Sequence, residues 1–122
     1  MSKTGIEERR AHPRHTASIE MQGSHEDGGV VARMITRDLS LGGLYCTSTT
    51  DFAEMTRLAV RLMLPINGEP SEGQPLDVEA VVVRREVVPA VNGNSRYDLA
   101  LYFTNLDSTA RDRLHRYLGT SP

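Results

Sequence analysis

Two short polar motifs in this chain carry side chains suited to one kind of ligand. Arg9-Arg10-Ala11-His12-Pro13-Arg14 sets three guanidinium groups within six residues. Asp38-Leu39-Ser40-Leu41-Gly42-Gly43 follows with a carboxylate, a hydroxyl and two glycines. A guanidinium fork matches phosphate oxygens and the O6/N7 edge of guanine. A carboxylate accepts from the N1–H and N2–H donors on guanine's other edge. Together the two sets describe a site for a compact guanine nucleotide with anionic phosphates.

Each motif alone also has a plainer reading. Charge runs are commonly solvated arms. Asp and Ser commonly close strand ends through Asx and ST turns, and a Gly-Gly pair supplies a tight turn with positive φ. Pro13 disfavours helix at His12 and leads the chain extended into the next segment, so Arg10 and Arg14 converge on one ligand from a bent stretch. In an extended segment residues 38 and 40 share a face, which sets carboxylate and hydroxyl side by side. Glycine then lets a ligand approach the backbone.

The elements that must position these residues follow from periodicity. His15–Gln22 alternates, with Ala17, Ile19 and Met21 on one face, and reads as a strand. Residues 23–29 form a glycine-rich turn, Val30–Arg37 a second strand and Leu44–Ser48 a short third. Asp51–Glu54 is expected as a single helical turn. Leu58, Val60, Leu62 and Leu64 alternate as a half-buried strand. Residues 65–75, rich in Pro, Gly and Glu, read as a loop. Leu76–Val88 is a long strand, and Asn92-Gly93 is a hairpin signal. Tyr97, Leu99, Leu101 and Phe103 line a sixth strand. Asp107 is placed to cap a helix carrying Ala110, Leu114, Tyr117 and Leu118 on one face, with Gly119 as its stop. Six strands and one amphipathic helix suggest a small closed barrel or a sandwich, the helix packed against one opening.

Composition narrows the function. The 122 residues suit one domain with a modest core. Net charge is −2, so bulk nucleic-acid binding is disfavoured, but residues 1–15 hold four basic against two acidic groups and the other 107 residues net −4. Thirteen of the fourteen basic residues are arginine, the type chosen where planar two-pronged recognition matters and also one that genome composition enriches. There is no Trp, and two Phe with four Tyr are few for the stacking platform of a single-strand binder. No apolar run is long enough to span a membrane, the N-terminus lacks a signal sequence, and Cys46 has no partner for an intrachain disulfide. These point to the cytoplasm. Cys46 is expected in the core. His12 and His15 lack companion metal ligands, and no Gly-x-Ser-x-Gly nucleophile turn surrounds Ser40, so neither a metal site nor catalysis is expected.

The two motifs in combination resemble those of the PilZ domain family, receptors for the bacterial second messenger cyclic di-GMP. The resemblance rests on Arg10-x-x-x-Arg14, extended by Arg9, and on Asp38-x-Ser40-x-x-Gly43. It continues through Tyr97-Asp98-Leu99-Ala100-Leu101-Tyr102-Phe103 and the helix with Leu114 and Leu118, and so covers roughly residues 8–118. It departs at Ala100, where the family often has glycine. The resemblance implies a mainly β fold, a six-stranded antiparallel β-barrel with a C-terminal α-helix, laid out as an arm (1–8), a domain (9–118) and a tail (119–122). It implies that Arg9, Arg10 and Arg14 contact phosphates and the guanine O6/N7 edge, and that Asp38 and Ser40 contact a guanine from the other side. Gly42 and Gly43 hold the turn and permit close approach, and Arg84 or Arg85 adds a contact from a later strand. The expected protein is a receptor, not an enzyme, with cyclic di-GMP as ligand and no cofactor, no metal, no membrane insertion and no nucleic-acid polymer. A downstream protein partner is implied, with the backbone of about residues 3–12 ordering on binding. The rivals are an adaptor of the same fold that does not use the nucleotide and a small-barrel binder of single-stranded nucleic acid.

Overall fold

A computed structural model describes residues 15–29, 31–66, 69–89 and 95–120. Six strands, β1 (His15–His25), β2 (Ala32–Leu39), β3 (Gly43–Ser48), β4 (Arg57–Ile66), β5 (Glu69–Val88) and β6 (Arg96–Asn105), precede one helix, α1 (Ser108–Thr120). Every pairing is antiparallel, and the strands close in the order β1-β2-β3-β6-β5-β4. β4 closes on β1 through Leu58–Leu62 and Met21–His25. The expected barrel is therefore the fold.

Period-two patterning explains the interior. Leu44, Cys46, Leu58, Val60, Leu62, Ala80, Val82, Leu99 and Leu101 alternate with outward residues and form one continuous core. The helix adds Ala110, Leu114 and Leu118 to that core, the stripe expected from its spacing. Asp107 caps it: its Oδ1 accepts from Ala110 N–H at 2.8 Å, satisfying one of the first-turn donors. Arg113 donates to the Pro75 and Gln74 carbonyls at 2.7 and 3.2 Å, fastening the helix to β5.

Four local expectations are corrected. β4 and β5 run through most of the Pro- and Gly-rich stretch read as a loop, with Met63 paired to Pro75 and Leu64 to Gln74 before a register shift. β1 extends to His25, so the turn begins after it, at Glu26 and Asp27, and leads into the positive-φ pair Gly28 and Gly29. The helix continues past Gly119 to Thr120. Residues 51–54 form no helical turn. Instead Met55 sits at φ 73°, held by Met55 N–H to Val82 O (2.6 Å) and Val82 N–H to Thr56 O (2.9 Å). The preceding Phe52 is buried and lies edge-on to His25, ring centres 5.3 Å apart. The loop thus supplies an apolar plug that propensity alone does not reveal. Asn92-Gly93 and the N-terminal segment through residue 14 lie outside the described residues.

Candidate functional site

Asp38 owes its position to an irregularity in β2. Against β3, Thr36 pairs with Cys46 and Asp38 with Tyr45, so Arg37 is an extra residue. Thr36 and Leu39 are both buried, whereas Arg37 is exposed and Asp38 half-buried. A bulge lets two consecutive residues face outward where strict alternation would turn Asp38 into the core. On its other side Asp38 pairs with Thr16 of β1, and His15 pairs with Leu39.

The chain then turns through residues 40–43, and Ser40 holds that turn. Its Oγ accepts from Gly42 N–H at 3.1 Å and Gly43 N–H at 3.3 Å and donates to Gly43 O at 3.3 Å. Its own N–H donates to the same carbonyl at 2.9 Å. With 3% exposure, Ser40 is turned inward rather than displayed beside the carboxylate. Among the described residues neither Gly42 nor Gly43 has positive φ. Gly43 is required for another reason: a Cβ there would meet Leu101 O of β6 at 2.0 Å. The close approach it permits is strand to strand.

Two further arginines separate. Asp38, Tyr45, Ala100 and Arg84 form one lateral row across β2, β3, β6 and β5, so the exposed Arg84 shares the wall that carries Asp38. Arg85 does not join them. It pairs with Asp51, Nη2 to Oδ2 at 2.6 Å, and lies over the Tyr97 ring at 5.8 Å. Its hydrogen bond holds the Asp51 carboxyl below the usual carboxylate range. Arg9, Arg10 and Arg14 lie outside the described residues. Sequence reading passed over a polar chain beside Asp38: Arg37 Nη1 donates to Thr47 Oγ1 at 3.3 Å, which donates to Asp98 Oδ1 at 3.4 Å. Alternation along β3 and β6 was the signal that Thr47 and Asp98 share this outer wall.

Behind it lies Cys46, 1% exposed. Burial, with a smaller contribution from the Asp98 carboxylate, pushes its thiol pKa up to about 12. Since thiolate is the reacting form, an aromatic disulfide reagent at mildly alkaline pH is expected to label the denatured chain and leave the native one unmodified. Prompt labelling of native protein would mean that β3 opens readily.

Several solved structures share this barrel. The PilZ domain with c-di-GMP of YcgR from Escherichia coli aligns at 21% identity and TM-score 0.68, over 92% of this chain and 90% of that one. The Bacillus subtilis inhibitor of motility MotI/DgrA aligns at 20% identity and TM-score 0.68, over 92% of this chain and 52% of that one. The MrkH–c-di-GMP complex of K. pneumonia aligns at 20% identity and TM-score 0.69, over 90% and 51%. This chain thus spans about half the length of the latter two. No curated protein matches it. Among the described residues no helix is long and apolar enough to cross a membrane. The PilZ domain family model matches residues 8–119, nearly the whole barrel and helix, and the chain belongs to that family.

Proposed function

We propose that this chain is a receptor for cyclic di-GMP that changes conformation on binding and passes the signal to a partner protein. The observation that carries this reading is the β2 bulge, which turns the Asp38 carboxylate to the outer wall beside the Ser40-clamped turn. Connectivity supports it: Arg14 immediately precedes His15, and the first residues of β1 pair with Leu39 and Asp38. Arg14 is therefore covalently joined to the end of β1 that runs beside the carboxylate. Family membership and the c-di-GMP complexes among the related folds point the same way.

In this mechanism Asp38 accepts from guanine N1–H and N2–H, while Arg9, Arg10 and Arg14 take the phosphates and the O6/N7 edge. The role of Ser40, Gly42 and Gly43 is to fix the turn on which that carboxylate depends. The two ligand phosphates offset the mutual repulsion of the arginines and fix their segment against the barrel. Fixing each residue costs about 1–2 kcal/mol of backbone entropy, so charge-assisted contacts must supply several kcal/mol. The reshaped surface is the output, and no cofactor takes part.

Calorimetry with the wild type is expected to give micromolar or tighter binding of cyclic di-GMP and much weaker binding of cyclic di-AMP. Adenine lacks both donors, and an unsatisfied partner costs about 1–3 kcal/mol, more when charged. Asp38→Ala should erase most of that discrimination. Absence of heat and of NMR shifts with cyclic di-GMP would overturn the receptor reading. Equal affinities of the wild type for the two dinucleotides would overturn the role given to Asp38.

A further inference from the structure

The outer wall next to Asp38 has an uneven relief. Leu44 and Cys46 of β3 and Leu99, Leu101 and Phe103 of β6 belong to the core. The alternate residues Tyr45 on β3 and Tyr102 on β6 therefore face outward, and Gly43 and Ala100, in the same alternate positions, are buried. Register pairs Gly43 with Tyr102 and Tyr45 with Ala100. Each tyrosine thus stands opposite a residue with little or no side chain, and the two lie diagonally across a floor of Gly43 and Ala100. Ala100 is 7% exposed yet absent from the core cluster, as expected for a small residue sunk between larger ones.

Tyr102 is 59% exposed, the one aromatic among the large exposed apolar residues described. An aromatic ring is a large apolar surface to leave in water, and nothing opposite it on β3 covers it. From Asp38 it is two strands across and two residues along, roughly 12 Å with spacings of about 4.8 Å between strands and 3.4 Å per residue. A ligand carrying two purines, one held at Asp38, leaves a second purine to be placed on this wall.

We propose that Tyr102 is the stacking platform for the second guanine of the bound dinucleotide. This rests on the cyclic di-GMP reading above. Stacking on an aromatic side chain depends on the ring and not on its hydroxyl, which separates the proposal from a merely polar or structural role.

The test is calorimetric titration of cyclic di-GMP into wild type, Tyr102→Ala and Tyr102→Phe, with thermal melting of each. Tyr102→Ala is expected to weaken binding about tenfold or more, within the range typical of base–aromatic stacking. Tyr102→Phe should bind within about twofold of wild type, and both variants should melt close to it. Tyr102→Ala binding as tightly as wild type overturns the stacking role while leaving the receptor reading intact. Equal weakening in both variants also overturns it, because a hydroxyl contact would then be responsible. A wild type that binds no cyclic di-GMP removes the receptor reading, and this proposal with it.

Discussion

Gly43→Ala is expected to lower stability by about 3 kcal/mol, at the upper end of what overpacking costs. The added methyl would sit 2.0 Å from the Leu101 carbonyl oxygen. That atom is backbone in a central strand pair, so relief requires β3 and β6 to separate rather than a side chain to swing away. The same displacement breaks the Phe103 N–H bond to Gly42 O, now 2.9 Å. For a domain of this size the melting temperature should fall by roughly 10 °C. Ser40→Ala should cost less, about 1–3 kcal/mol, by stranding the Gly42 and Gly43 amides. Scanning calorimetry of the two variants checks both values. A Gly43→Ala melt within about 2 °C of wild type would contradict the strand approach described.

Arg10→Ala and Arg14→Ala should each weaken cyclic di-GMP binding by about 1.5–3 kcal/mol, the range for hydrogen bonds to charged groups. In dissociation constant that is about tenfold to a hundredfold. Neither should change the melting temperature of the free protein much, whereas Gly43→Ala changes it most. Wild-type affinity should fall with added salt, since part of the attraction between guanidinium and phosphate is screened. The salt dependence should be shallower in each variant. Titrations at two salt concentrations measure all of this at once. Wild-type affinity retained in both variants would move phosphate recognition away from these arginines.

What the sequence disclosed, and what it hid, sort by range. Ile19, Met21, Leu58, Leu62, Leu99 and Leu101 alternate cleanly because one face of each strand is buried, so the strands and their inward faces were legible. The Asp107 cap and the Leu114–Leu118 stripe were legible for the same local reason. Residues 65–75 misled because Pro and Gly weaken strand propensity, while the long β4–β5 pairing overrode it. The loop plug at Phe52 was invisible because a lone aromatic carries no period. In the candidate site, the sequence set Asp38 and Ser40 side by side, whereas the structure turns Asp38 outward and Ser40 inward. A bulge is a relation between two strands, and neither strand alone shows that Arg37 is the extra residue. Likewise the demand for glycine at position 43 comes from Leu101, far away in sequence.

Closure of the barrel carries a consequence for how such a molecule diversifies. With every described strand flanked by two neighbours along part of its length, recruitment of a second protein by lengthening the ladder is confined to stretches paired on one side, such as Glu69–Val78 of β5. Elsewhere recognition falls to side chains on the outer wall and to the helix. New specificities can then arise by single replacements, while the hydrogen-bonded frame stays untouched. The same closure shortens the template on which cross-β assembly grows, and the exposed apolar residues Val83, Val87 and Ile35 lie on strands paired on both sides over part of their length.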